Sequence, residues 1–301
     1  MEPAGGEPGG ANAHVAWRMT LAERAAQAYG KNRQLAALAV AGSVGAGLAD
    51  RFSDLELDCY WSAPPSDPDR TGPIDRLGGE LTALWDYDRD EQEWSEDYRL
   101  GGLHVTVSNF LAATIERFID DVVIRMDTDP LKHLRLAALQ RSRPLLGAQM
   151  IGSWRPRAAR YPDKLAAAMI ERSLGPEVLK GWATREALAS RGDDLAIHDL
   201  LTRAEHAVLG ALLAVNRVYL PHPLIKWQRH LIGELGTVPD RLTQRLRSLW
   251  TSGHAQALEE AGALLAETVL LAEAHTDADL GPFREALSER RQAIDPPRPG
   301  Q

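Results

Sequence analysis

The alternation of apolar and polar residues in Leu55–Trp61 is the feature that most constrains the fold of this chain. The segment reads Leu-Glu-Leu-Asp-Cys-Tyr-Trp, and side chains two residues apart on a strand point to the same side. It therefore predicts a strand with one apolar face and with Glu56 and Asp58 on the other, in phase with Asp54 just before it. Carboxylates spaced in this way can converge on a hard cation such as magnesium.

A Gly-Ser pair lies upstream of this strand. The apolar run 35–41 stops at Gly42-Ser43, and its length and composition leave a buried strand and a continued helix both open. If the run is a strand, Gly42-Ser43 starts a turn into a short helix, where backbone N–H groups and a hydroxyl suit phosphate oxygens. Magnesium held by the following strand would then suit a nucleoside triphosphate.

The remaining pattern changes from strands to helices along the chain. A second alternating segment, 103–108, predicts another strand. Helices are predicted from Thr20 to about residue 31 and over 74–85, and from about residue 111 onward the pattern is helical almost without interruption. This order predicts an α+β protein, in which a mixed sheet with helices is followed by an all-helical domain.

The domain limits follow from the same change and from the two ends of the chain. Both ends are rich in Gly and Pro and offer little to bury. We predict a disordered lead-in over 1–16, a sheet-containing domain over 17–145, a helical domain over 146–295 and a disordered tail over 296–301.

Composition limits the classes of function. The single cysteine, Cys59, excludes an intramolecular disulfide and a zinc site built from cysteines, which fits a reducing cytoplasm. No apolar run reaches the length of a membrane span. The formal charge of −8 argues against a nucleic-acid polymer as the main substrate and suits a cationic or neutral small molecule. The oligomeric state is not predicted.

The chain resembles the nucleotidyltransferase superfamily that includes DNA polymerase β and the antibiotic-adenylating enzymes. The match consists of Gly42-Ser43, a spacer, and Ser53-Asp54-Leu55-Glu56-Leu57. The resemblance implies that Asp54 and Glu56 bind Mg²⁺ as catalytic residues, and that Gly42, Ser43 and Ser53 bind ATP or another nucleoside triphosphate. It also implies transfer of a nucleoside monophosphate to a hydroxyl of a small acceptor, for example an aminoglycoside-like antibiotic. Residues 17–145 would be the nucleotidyltransferase domain.

The segment Glu205–Trp227 adds to this resemblance. It is similar to the second domain of small-molecule nucleotidyltransferases, in which an apolar helix ending in Leu-x-x-Asn-x-x-Tyr precedes a helix with a lysine. The matching positions are Asn216, Tyr219 and Lys226. The resemblance implies that Lys226 binds the triphosphate and that Glu205 deprotonates the acceptor hydroxyl.

The sequence departs from the family at one place. The superfamily has a third carboxylate on a later strand, whereas segment 103–108 offers His104, Thr106 and Ser108 on the side away from the core. A zinc site at His104 is not expected, because no second histidine or cysteine pair lies nearby in the sequence.

Several substitutes for the third carboxylate are open. Asp58 shares the strand face of Asp54 and is assigned as an additional metal ligand, and Glu96 or Asp97 are alternatives. If none of these residues replaces the third carboxylate, the alternative is a non-catalytic nucleotide- or ligand-binding protein. A transferase acting on a protein or an RNA end is a further alternative.

Overall fold

The computed structural model describes residues 12–294, which form two units. The first unit consists of residues 12–125 and 129–160, and the second of 126–128 and 161–294. The first unit is α+β and the second is helical, so the predicted fold class is confirmed. The boundary falls near residue 160 rather than at 145, because residues 143–158 add a strand to the sheet and a helix against it.

The first unit is built around one six-stranded sheet with the strand order β3-β4-β5-β2-β1-β6. Strands β2 and β5 are parallel, and the other neighbouring strands are antiparallel. Its elements are α1 (Ala13–Tyr29), β1 (Leu35–Val40), α2 (Gly42–Gly45), β2 (Leu55–Trp61), α3 (Asp67–Leu77), β3 (Glu80–Asp88), β4 (Glu93–Leu100), β5 (Leu103–Leu111), α4 (Ala112–Arg125), α5 (Pro130–Arg141), β6 (Arg143–Leu146) and α6 (Ala148–Ala158).

One face of the sheet packs into an apolar core. The alternation of β2 places Leu55, Leu57 and Cys59 there, together with Val105 and Val107 of β5 and apolar residues of α1. The predicted strand and its orientation are therefore confirmed. The apolar run before Gly42 is also a strand, β1, and it is almost entirely buried.

The opposite face of the sheet, here called the polar face, carries the side chains of Glu56 and Asp58. Its part near the carboxyl ends of β2 and β5 is covered by aromatic packing. The ring of Tyr60 lies 6.2 Å from that of Phe110 and 5.2 Å from that of Trp154 on α6. The part near the amino ends of the two strands carries half-buried residues such as Glu56 and Thr106. Helix packing thus divides the polar face into a covered half and a more accessible half.

The second unit packs its helices around α9 and α12. Its core includes Trp182, Leu212 and Leu264. Among the residues that the structure describes, no helix combines the length and the apolar character needed to cross a bilayer. The α-helices of this unit are α7 (Asp163–Ser173), α8 (Arg185–Arg191), α9 (Asp194–Val215), α10 (Gln228–Glu234), α11 (Leu242–Ser248), α12 (His254–His275) and α13 (Gly281–Ser288).

The predicted lead-in over 1–16 is too long at its carboxyl-terminal end. Residues 13–16 are helical, because the Asn12 side chain caps α1 by accepting hydrogen bonds from the amides of His14 and Val15. The predicted lead-in therefore ends earlier than residue 16. Its first eleven residues lie outside the described part of the chain, as does the predicted tail over 296–301.

The predicted helix over 74–85 is wrong. A capping box between Ser66 and Asp69 starts α3 at Asp67, earlier in the chain than predicted, and Gly78 ends the helix in the left-handed conformation (φ 69°). The residues after Gly78 then form the edge strand β3, which pairs with β4. The apolar residues of this segment fit a helix and a strand equally well, so only the pairing with β4 decides between the two.

Candidate functional site

The Gly-Ser turn and the first acidic strand meet at Gly42 and Glu56. Gly42 has φ +56°, and a β-carbon added to it would lie 2.5 Å from the Glu56 carboxylate. The amide of Ala41 also donates a hydrogen bond to the Glu56 carbonyl oxygen at 2.9 Å. The first intrahelical bond of α2 runs from the Gly45 amide to Ala41, so the amides from Gly42 to Val44 precede it. The structure therefore brings Gly42, Ser43 and Glu56 together.

A hydrogen-bonded turn presents Asp54 at the start of β2. The Ser53 hydroxyl donates to the Asp50 carboxylate at 3.0 Å and accepts from the Asp50 amide at 3.0 Å. The amide of Phe52 also donates to Asp50 and lowers the pKa of that carboxyl group. Arg18 of α1, only 2% exposed, donates to the Ser53 carbonyl. The Ser53 hydroxyl thus shapes the turn, and Asp54 is half-buried behind it.

A row of polar side chains crosses three strands beside Glu56. Thr106 lies next to Glu56 in the parallel pair of β2 and β5, and opposite Asp97 in the antiparallel pair of β5 and β4. The Thr106 hydroxyl donates to Asp97 Oδ1 at 2.6 Å. His104 is two residues before Thr106 on the same strand, and its Nε2 lies 3.7 Å from Asp97 Oδ2. Asp97 of β4 is therefore the carboxylate that contacts Thr106 and His104 of β5 on the polar face.

Glu96 faces the opposite side of the sheet. It is fully buried and forms an ion pair with Arg70, with Nε and Oε2 3.0 Å apart. Its carboxylate also accepts hydrogen bonds from Tyr29 and Asn109. Burial raises the pKa of Glu96, and Arg70 opposes that rise. Because Glu96 belongs to the core, it does not replace the missing third carboxylate, and of the two alternatives only Asp97 lies on the polar face.

Asp58 lies in the covered half of the polar face. It is 5% exposed and accepts a hydrogen bond from the Tyr60 hydroxyl at 3.3 Å. Burial raises the pKa of Asp58, and the charge of Arg135 on α5 opposes that rise. Arg135 also binds Glu93 of β4, with Nη2 and Oε2 2.7 Å apart. Burial raises the pKa of Glu93 to about 8.

Sequence reasoning missed Glu93 and Arg135. A signal existed for Glu93, since it is in phase with Ser95 and Asp97 on one strand. For Arg135 no local pattern is informative, because only the packing of α5 brings it to Glu93. This pair gives Asp58 a charged neighbour within the fold, which differs from the metal-ligand role predicted for it.

The donor set suits magnesium bound together with phosphate. Among residues 12–294, no three His, Cys, Asp or Glu side chains form a ready-made metal cluster. Magnesium keeps several water ligands and is usually held by one or two carboxylates plus the phosphates of a substrate. Asp54 and Glu56, on one strand face beside the Gly-Ser turn, fit that kind of site.

Glu205 and Lys226 lie in the second unit. Glu205 on α9 accepts hydrogen bonds at both carboxylate oxygens, from Gln228 Nε2 at 2.5 Å and from Trp250 Nε1 at 2.7 Å. These contacts tie α9 to α10 and to the residues after α11. Lys226 is exposed just before α10. The base and phosphate roles assigned to these two residues by resemblance stay predictions.

The other matched positions of the second unit have structural partners. Asn216 caps α9, and its side-chain amide donates to the Thr237 carbonyl and accepts from the Thr237 amide, both at 2.8 Å. The ring of Tyr219 packs 4.9 Å from that of Tyr161. The sequence Leu-x-x-Asn-x-x-Tyr therefore stabilises the end of α9 and the segment that follows it.

Comparison with known proteins gives a partial family match and distant structural likenesses. A family model described as a domain of unknown function (DUF4037) matches residues 131–228. No curated protein matches the chain. Among solved structures, a nucleotidyltransferase-like protein from Exiguobacterium sibiricum 255-15 is similar at a TM-score of 0.39 and 12% identity, over 88% of this chain and 78% of that chain. The site itself therefore carries the functional conclusion.

Proposed function

We propose that this protein transfers a nucleoside monophosphate from a nucleoside triphosphate, with ATP as the first candidate, to a hydroxyl group of a small acceptor. The observation that carries this proposal is the contact between the Gly42-Ser43 turn and Glu56, with Asp54 on the same strand face. A phosphate-binding turn next to two carboxylates is the arrangement that a magnesium-bound triphosphate needs.

Each residue of the first unit has a defined role in this proposal. Asp54 and Glu56 hold magnesium, which neutralises charge on the phosphates and aligns them for in-line attack. The Ser43 hydroxyl and the backbone amides at the start of α2 bind phosphate oxygens. Gly42 allows this close approach because it has no side chain beside the Glu56 carboxylate.

The acceptor is proposed to be a small cationic or neutral molecule with a hydroxyl group, of which an aminoglycoside-like antibiotic is one example. The formal charge of −8 supports this choice over a polynucleotide. The cytoplasm, which the single cysteine favours, stays the predicted compartment.

A non-catalytic nucleotide-binding protein is the second candidate. It is favoured by one observation, namely that β5 places His104, Thr106 and Ser108 rather than a carboxylate beside β2. Pyrophosphate release from Mg²⁺ and ATP distinguishes the candidates, because the transferase releases it and the binding protein does not.

The proposal is tested by titration calorimetry of ATP with and without Mg²⁺. We expect Mg²⁺-dependent binding to wild type and a large loss of it in Asp54→Asn and Glu56→Gln. Asp75→Asn is the matched control, because Asp75 is an exposed carboxylate on α3, whose buried Ile74 packs in the core on the other face of the sheet. Equal Mg²⁺-dependent affinity in all four proteins would refute the site.

A further inference from the structure

We propose that His104, oriented by Asp97, is the base that takes the proton from the attacking acceptor hydroxyl. This inference rests on the proposed transferase function and assigns the group that replaces the missing third carboxylate. His104 is the catalytic residue in this assignment, and Asp97 is a positioning residue.

The strand register places both residues beside the metal-binding carboxylates. Leu55 of β2 pairs with Val105 of β5, so His104 lies level with Asp54, and Thr106 lies level with Glu56. Neighbouring strands are about 4.8 Å apart. The polar face is therefore occupied, in order across three strands, by the metal-binding carboxylates, the imidazole and Asp97.

The differences in exposure fit a base and its orienting group. The side chain of His104 is 44% exposed, whereas that of Asp97 is 19% exposed behind it. Asp97 is fixed through Oδ1 by the Thr106 hydroxyl, and its other oxygen, Oδ2, lies 3.7 Å from His104 Nε2. The distance suits an ion pair that tightens when the ring is charged, and it leaves Nδ1 as the nitrogen that receives a proton.

The other carboxylates that could take the role of the base have partners of their own. Glu96 pairs with Arg70 in the core, Asp58 lies under the helices, and Glu205 accepts hydrogen bonds at both oxygens. The exposed imidazole with a carboxylate behind it is the arrangement that activates a hydroxyl in many enzymes.

The chemical step balances without a further reactant. The acceptor oxygen forms a bond to the α-phosphorus of ATP while its proton passes to His104 Nδ1. The bond from the α-phosphorus to the bridging oxygen breaks, and pyrophosphate leaves with the electron pair. Asp97 stabilises the resulting imidazolium, which returns the proton to water.

Charged groups lie on both sides of His104. On β4 these are Arg99, directly opposite, and Asp97, and on the other side Asp54 lies just before β2. Because these charges stay in place when His104 is replaced, a difference in kcat between wild type and the His104 variants reports the imidazole itself.

The test measures pyrophosphate release at saturating Mg²⁺ and ATP with ethanol and trifluoroethanol as probe acceptors. In His104→Gln we expect kcat with ethanol to fall by about 10²–10⁴-fold, with unchanged KM for ATP. The loss should be smaller with trifluoroethanol, whose hydroxyl is more acidic and needs less help from a base. Added imidazole should restore activity to His104→Ala.

Asp97→Asn tests the positioning role separately. It should lower kcat and leave KM for ATP unchanged, because the imidazole loses the carboxylate that orients it, and Asp97→Glu should restore part of kcat. Ser95→Ala, which alters the same face of β4 two residues from Asp97, should leave kcat unchanged.

Several outcomes would overturn the assignment. Full kcat in His104→Gln, or a loss that is equal for both acceptors and not restored by imidazole, removes His104 as the base while the transferase stands. A wild-type protein that binds Mg²⁺ and ATP but releases no pyrophosphate also overturns the base and favours the binding protein. Absence of Mg²⁺-dependent ATP binding refutes the transferase and the base together.

Discussion

Gly42→Ala tests the geometry on which the site depends. Two costs are expected from the structure. At φ +56° a residue with a β-carbon loses roughly 1–2 kcal/mol relative to glycine. The new β-carbon would also lie 2.5 Å from the Glu56 carboxylate, and moving that side chain off its preferred rotamer adds about 0.5–1.5 kcal/mol. The sum predicts a loss of about 1.5–3.5 kcal/mol in the free energy of unfolding.

A second glycine separates the two costs. Gly78 has φ +69° and nothing within 4 Å of an added β-carbon, so Gly78→Ala should lose only the backbone part, about 1–2 kcal/mol. In a Glu56→Ala background, the loss in the free energy of unfolding caused by Gly42→Ala should fall to the same value, because the carboxylate is gone. The difference is the coupling energy of a double-mutant cycle.

Urea unfolding titrations measure the free energy of unfolding of wild type, the three single variants and the double variant, and calorimetry measures ATP binding in the same proteins. We expect Gly42→Ala to weaken Mg²⁺-dependent ATP binding, because Glu56 is displaced, and Gly78→Ala to leave it unchanged. The reasoning is refuted if Gly42→Ala costs no more than Gly78→Ala, or if its cost is the same with and without the Glu56 carboxylate.

Four further predictions concern single residues. Ser43→Ala should cost about 1.5–3 kcal/mol in ATP binding and less for AMP, and equal losses by calorimetry would make Ser43 structural. Between pH 4.5 and about 8 the free energy of unfolding of wild type should fall by at most about 1.4 kcal/mol per pH unit. The reason is that Glu93 keeps its proton in the folded protein and releases it in the unfolded chain. Urea titrations should show a smaller pH dependence in Glu93→Gln. Glu96→Ala should lower the free energy of unfolding by about 3–5 kcal/mol, because it leaves Arg70 buried without its carboxylate partner. A urea midpoint close to that of wild type would contradict this. Glu205→Gln should leave kcat unchanged with both probe acceptors, whereas a loss that is larger with ethanol than with trifluoroethanol would make Glu205 the base.

The alternation of Leu55–Trp61 determines a strand by itself, and with it the side on which Asp54 and Glu56 lie. The reason is that a strand has a fixed two-residue period, so the apolar set and the acidic set cannot share a face. The Gly-Ser pair similarly indicates a turn before this strand. What local sequence leaves open is the contact between Gly42 and Glu56, which depends on the pairing of β1 with β2.

Tertiary structure alone decides which acidic residues belong to the site. Segment 93–100 hides its strand pattern, because the core face includes Glu96, and a buried glutamate is tolerated only when Arg70 arrives from α3 to pair with it. Once that pairing is made, Asp97 must face the other way, toward Thr106 and His104. Asp58 is buried for a comparable reason, since helices packed on the polar face cover its end of β2. The sequence shows where the carboxylates are, but residues far away along the chain determine the environment of each one.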